Sequence, residues 1–117
     1  MTATDLQLTL DHSISPCTVI TAAGELDAVG APLLRTQLAA IVESDPVDVV
    51  LDLSRVVFID STGLGVLARY HKLFAAAGRE LRVVVTQRNL RRVFAMTGLN
   101  DALFVYESLK EALDTDT

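Results

Sequence analysis

Apolar and polar positions alternate at the start of the chain: Leu6, Leu8 and Leu10 are separated by Gln7 and Thr9. That period of two predicts a strand with one wet face. Asp11-His12-Ser13 and Ser15-Pro16 predict a turn, and Cys17 to Ala23 a second strand, joined to the first as a hairpin. Gly24-Glu25-Leu26-Asp27 is expected to break that strand. Pro32 suits the first turn of a helix, where its missing N–H costs nothing. Leu34, Leu38, Ile41 and Val42 then form one apolar stripe, which Asp45-Pro46 ends.

Val47 to Leu53 predicts the third strand. Val47, Val49, Leu51 and Leu53 share one face, while Asp48, Val50 and Asp52 share a face that is only partly buried. Ser54 to Ile59 is expected to carry the chain onward to a second helix, Gly63 to Ala77, with Gly78 as its stop. Leu81 to Val85 predicts a fourth strand, almost wholly Val and Leu as between helical crossovers. Leu90, Val93 and Phe94 mark a third helix closed by Gly98. Leu103 to Tyr106 predicts a fifth strand. Ser108 and Glu111 have capping-box spacing before a last helix carrying Leu109 and Leu113, and Asp114 to Thr117 is expected to fray. No repeat is evident.

Strands alternating with helices predict an α/β fold with a largely parallel sheet, made mixed by the opening hairpin. The expected sheet has four to five strands, with about four helices mainly on one side. The 117 residues suffice for one domain, ordered over about 5–113. Half of the chain is hydrophobic and Trp is absent, so Val, Leu, Ile and Ala must build the core. The net charge of −5 argues against nucleic acid or an anionic membrane as the main partner. Cys17 is the single cysteine, so no internal disulfide forms and a reducing compartment fits. No signal peptide and no run of about 18 apolar residues is seen, which places the protein in the cytoplasm without a membrane span.

The stretch Asp60-Ser61-Thr62-Gly63-Leu64-Gly65 carries the candidate chemistry. It sets two hydroxyls and two glycines at a helix N-terminus, where N–H groups are unpaired and the dipole is positive. Ser61 or Thr62 could serve simply as the helix cap. Gly63 and Gly65 cost up to about 1 kcal/mol each in a helix, and would either leave backbone open to a partner or allow close packing against the strand before them. The second helix has a wide apolar arc. Leu64, Leu67, Ala68, Phe74 and Ala75 form one side, Val66, Leu73 and Ala77 lie well round from it, and Gly65, Arg69 and Lys72 are left on a polar strip. Such a helix is either buried on several sides or bears a partner-binding rim.

Catalysis and metal binding find little support. Ser61 has no recognisable base, since neither histidine sits in a triad pattern. The stretch lacks the lysine and spacing of a P-loop. His71 falls among apolar positions without a neighbouring Cys or His. Arg88, Arg91 and Arg92 read as a solvated helix face, and Asp48 and Asp52 as surface residues of a strand.

Gly24-Glu25-Leu26-Asp27, the strand VVLDLS, FIDSTGLGVL, Leu90-Arg91-Arg92-Val93-Phe94 and Met96-Thr97-Gly98-Leu99 together resemble the STAS-domain anti-sigma factor antagonists, or anti-anti-sigma factors. The resemblance covers nearly the whole chain and implies the STAS fold over 1–117. It implies a regulatory protein, not an enzyme, with no cofactor of its own. The unphosphorylated form would bind a cytoplasmic anti-sigma factor that is also a serine kinase, and so free the sigma factor for transcription. That kinase, using its own ATP and Mg²⁺, would phosphorylate Ser61, and a phosphoserine phosphatase would reverse the step. Asp27, Asp60, Thr62, Gly63, Leu64 and Gly65 are the expected partner-binding residues, on a monomer, with Asp27 and Asp60 near Ser61 in space. The alternatives are a STAS module that binds a small ligand or nucleotide, one part of a larger sensory assembly, or a small hydrolase using Ser61.

Overall fold

A computed structural model of the chain describes residues 6–14, 17–44 and 46–114. Asp5, the Ser15-Pro16 part of the expected turn, Asp45 and the tail beyond Asp114 lie outside these residues. Strands β1 (Gln7–Asp11) and β2 (Cys17–Leu26) form the expected hairpin, antiparallel, with Gln7 opposite Ala23. Strands β3 (Asp48–Ile59), β4 (Leu81–Val84) and β5 (Phe104–Tyr106) then add in parallel, giving one mixed sheet in the order β1-β2-β3-β4-β5. Between them run α1 (Ala31–Ser44), α2 (Ser61–Ala76), α3 (Arg88–Thr97) and the short α4 (Leu99–Ala102), and α5 (Leu109–Leu113) follows β5. The sequence pattern did not anticipate α4.

From β2 onward each strand adds on the same side of the last, and crossovers are right-handed, so α1, α2 and α3 must fall on one face. That face holds the main core. Val49, Leu51 and Leu53 of β3 meet Leu34 and Leu38 of α1, Leu67 and Phe74 of α2, and Leu90 and Phe94 of α3. After β5 no further strand is needed, and α5 turns to the other face. There Ala112 covers Cys17, Val19, Val50 and Val84. The helices are therefore mainly, not wholly, on one side. Gly98 takes the left-handed conformation at the end of α3, with φ 79°, and Gly78 does the same after α2, with φ 75°. Ser108 Oγ accepts from the Glu111 N–H at 3.1 Å, as the capping-box spacing predicted. The Glu111 carboxylate reaches back to the N–H of Glu107, one residue earlier than a capping box requires.

Three element readings are corrected. Gly24-Glu25-Leu26 does not break β2. The strand continues to Leu26 through two register shifts against β3, and these absorb the glycine. β3 does not stop at Leu53 but runs twelve residues to Ile59. The buried stripe of α2 is Gly63, Val66, Leu67, Tyr70 and Phe74, whereas Leu73 and Ala75 are exposed and Leu64 half-buried. Tyr70 and Val66 thus belong to the inner face, and the wide arc reduces to an ordinary stripe.

Two arginines hold the elements together where the sequence showed only charge. Arg82 of β4 is 1% exposed on the α5 side of the sheet. Its guanidinium pairs with Asp48 Oδ2 and Glu80 Oε1, each at 3.0 Å, and donates to the Ala112 carbonyl at 3.0 Å. Asp48, read as a surface residue, is thus the half-buried counter-ion of a buried cation. Arg79 lies over the Phe74 ring at 5.3 Å and donates to the carbonyls of Ile41, Val42 and Val47. It closes the C-terminal end of α1 against the start of β3.

Removing one partner of a buried pair costs about 3–5 kcal/mol because the other charge is stranded. Arg82 would keep Glu80, and Asp48 is partly solvated, so Asp48→Ala is expected to lower stability by about 2 kcal/mol. Urea unfolding measures it, and no loss would show that Glu80 alone suffices.

Candidate functional site

The extended end of β3 positions the site. Val49 to Asp52 pair with β4, so beyond Leu53 the strand has β2 on one side and, among the described residues, no strand on the other. Carbonyls on that open side still need donors. Gln87 supplies its Nε2 to Ser54 O at 3.1 Å and to Val56 O at 2.8 Å. Asn89 adds Nδ2 to Val57 O at 3.3 Å. These two amides at the start of α3 act as a missing stretch of β4, and sequence reasoning did not find them. The signal, a Gln and an Asn flanking a helix start, is too common to single them out.

At the end of β3, the Asp60 N–H donates to the Leu26 carbonyl at 3.3 Å. Asp60 is the N-cap of α2. Its Oδ1 accepts from the Thr62 N–H at 2.9 Å and from the Gly63 N–H at 3.2 Å. The expectation that Ser61 or Thr62 caps the helix is therefore corrected. Ser61 is the first helical residue, and both hydroxyl residues are exposed.

The two glycines have different roles. A Cβ on Gly63 would lie 2.3 Å from Leu26 O and 2.8 Å from Leu26 Cγ, so Gly63 is buried and lets α2 sit against β2. A Cβ on Gly65 would meet nothing within 4 Å. Gly65 is an exposed, bare piece of helix one turn beyond Ser61. Leu64 is half-buried between the two.

The start of α1 repeats this junction. Leu26 pairs with Ile59, so Asp27 and Asp60 begin neighbouring turns at the same end of the sheet. Asp27 Oδ1 accepts from the N–H groups of Val29 and Gly30, and its carbonyl accepts from the Ala31 N–H. Asp60 does the same with Thr62, Gly63 and Leu64. Gly30 is crowded as Gly63 is, with Glu25 O 2.4 Å from its would-be Cβ. Asp27-Ala28-Val29-Gly30 and Asp60-Ser61-Thr62-Gly63 are thus two copies of one turn, Asp-x-x-Gly. The repeated spacing is legible in the sequence. In the first copy, Ala28 and Val29 stand where the second has Ser61 and Thr62. The turn therefore requires neither hydroxyl.

The charge around these turns is acidic. Partial burial, then the neighbouring Asp27 carboxylate, holds the Glu25 carboxyl above its ordinary value. The Gly30 N–H is the main cause that holds Asp27 below its own. Elsewhere, His71 sits edge-on to the Phe104 ring at 5.5 Å. Arg88, Arg91 and Arg92 are exposed, as expected, and Arg91 pairs with Glu107 at 2.7 Å. Among the described residues no group of His, Cys, Asp or Glu is arranged to hold a metal, and no helix is long and apolar enough to cross a membrane.

The glycines should separate in stability measurements. Gly63→Ala forces a methyl group into backbone, and overpacking of that kind costs about 1–3 kcal/mol. Gly65→Ala enters open space inside a helix and should stabilise by up to about 1 kcal/mol. Urea midpoints test both, and equal effects would contradict the geometry. A carboxyl whose folded value is raised contributes stability below its unfolded value and loses it as pH rises through the folded one. Glu25→Gln should therefore exceed the wild type in stability at neutral pH, with the gap closing as pH falls to about 4. A gap that widens on acidification would refute the placement of Glu25.

Comparison with known proteins agrees with this architecture. Residues 8–112 match the family model of the STAS domain. The anti-sigma-B factor antagonist of Bacillus subtilis (strain 168) is 37% identical over 81 residues, 69% of this chain and 73% of that protein. The crystal structure of an anti-sigma factor antagonist from Mycobacterium paratuberculosis superposes with a TM-score of 0.80 at 29% identity, covering 97% of this chain and 96% of that one. The phosphorylated form of the Bacillus cell fate determinant SpoIIAA superposes with a TM-score of 0.69 at 25% identity, covering 95% of this chain and all of that one (100%). The chain therefore belongs to the family of STAS-domain anti-sigma factor antagonists.

Proposed function

We propose that this protein is an anti-sigma factor antagonist whose unphosphorylated form binds an anti-sigma factor with serine kinase activity, and that Ser61 is the switch. The observation that carries the reading is the duplicated turn. Ala28 occupies the Ser61 position in the first copy, and Asp60 takes the capping bonds in the second. The Ser61 hydroxyl is exposed and has no part in the bonds that form its turn, so it is available to another enzyme. Its relatives' names point to an anti-sigma factor as partner, and one neighbour of the same fold is known in a phosphorylated form.

The partner surface in this reading is centred on Ser61, Thr62 and Gly65, edged by Leu64 and Asp60, with Asp27 on the neighbouring turn. Gly63 shapes it from below. The monomeric protein would work in the cytoplasm, with a phosphatase to reset it. The energetics suit a switch that breaks a complex and spares the fold. A phosphate adds about −1.5 to −2 charge at neutral pH. The helix N-terminus would favour that by only about 0.3–1 kcal/mol. Covering the dianion with a partner, beside carboxylates that already make the region negative, costs several kcal/mol unless cations meet it. The interface term is the larger, so phosphorylation would release the partner and leave the domain folded.

Ser61→Ala is expected to keep its stability and partner binding and to lose phosphorylation. Ser61→Glu should weaken binding. Thr62→Val, which copies Val29 of the first turn, should still be phosphorylated on Ser61, at a reduced rate. Incubation with the cognate kinase and ATP, followed by fragmentation mass spectrometry, locates the phosphate. Finding it chiefly on Thr62 would overturn the assignment.

A further inference from the structure

The other half of the same sheet end is chemically the opposite of the acidic turns. A cavity of about 560 Å³ opens between α3, α4 and the end of β5. Arg88, Arg91 and Arg92 of α3 line it together with Asn100 of α4. Its apolar wall is Val85, just past β4, Ala95 of α3 and Val105 of β5. Three of the ten basic residues of a chain with net charge −5 thus converge on one hollow. Glu107 is the only acid that lines it among the described residues, and it pairs with Arg91 alone. That pair is exposed on both sides, 48% and 66%, so it holds Arg91 weakly.

The arrangement is unfavourable for the isolated chain. Like charges repel, and α3 carries Arg88 at its first position with no acid in its first turn. Cations near a helix N-terminus oppose the dipole there. Local conflicts of this kind are expected where a surface serves binding. The dimensions fit a small molecule, since ligand sites run to about 300–1,000 Å³. The position also fits, because parallel sheets bind ligands beyond the carboxyl ends of their strands.

We infer that this cavity is a binding site for a small phosphate-bearing anion of two or more charges, held by Arg88, Arg91 and Arg92. A planar guanidinium matches phosphate oxygens with two parallel N–H donors, and three such groups compensate several anionic oxygens at once. Asn100 adds a neutral amide, and Val85 and Val105 exclude water from behind the ligand. Glu107 is a placeholder: its carboxylate occupies Arg91 until a stronger anion displaces it. The site shares no lining residue with the Ser61 turn, so it does not depend on the proposed switch.

Glu107 gives the test a sign. Pyrophosphate and a hexose bisphosphate are titrated calorimetrically at low salt into the wild type and four variants. The wild type is expected to bind at least one of the two. Arg88→Gln and Arg92→Gln should each weaken binding about tenfold, which is about 1.4 kcal/mol. Glu107→Gln should tighten it severalfold, because Arg91 is released. Ser61→Ala should bind as the wild type does, which separates this site from the switch. The four positions are exposed, and a cooperative urea transition confirms that each variant folds. No binding of either anion by the wild type overturns the inference. So does binding that the arginine variants leave intact, or that Glu107→Gln weakens.

Discussion

The Asp60 carboxylate, accepting from the Thr62 and Gly63 N–H groups, is the contact on which the rest of the site depends. It sets the residue at which α2 begins, and so the residue that stands first on the helix. With the cap one position later, Ser61 would be spent on backbone hydrogen bonds. With Asp60 in that role, the hydroxyl is left over. The cap also brings Gly63 down onto the Leu26 carbonyl, which already accepts from the Asp60 N–H. One aspartate thereby joins the ends of β2 and β3 to the start of α2.

Much of the fold was legible because its elements obey simple periods. The alternation of Leu6, Leu8 and Leu10, the run of Leu81 to Val85 and the stripe of Leu34, Leu38 and Ile41 all became the elements they predicted. β3 was read short because Arg55-Val56-Val57-Phe58 has no clean alternation. Its far half has a strand on one side only, and side-chain amides of Gln87 and Asn89 serve the other. Such long-range substitution leaves no local trace. Arg82 was hidden for a similar reason. A buried cation among valines looks like a surface residue until the sheet brings Asp48 and Glu80 beside it.

The helix start at Asp60 was legible in the sequence, but its capping was not. The pattern from Asp60 to Gly65 marks a helix start, and Ser61 and Thr62 both suit its cap because hydroxyl residues are common there. Aspartate is as good a cap, and the Asp-x-x-Gly spacing repeated at Asp27 and Asp60 would have settled the matter. Physical comparison of the two turns then does what no single turn can. It separates the atoms the backbone needs from those it does not, and Ser61 falls in the second set.

Arg79 bears on how this protein can change over evolutionary time. Its guanidinium ties the last carbonyls of α1 to the start of β3 and rests on Phe74 of α2, all at the end of the sheet away from Ser61. That end behaves as a rivet. With the far termini of the helices fastened there, the near ends can be resculpted for a new partner without loosening the body. Drift at exposed positions such as Ala28, Val29 and Gly65, which the turns do not require, then becomes affordable, whereas replacement of Arg79 would unfasten two helices and a strand together.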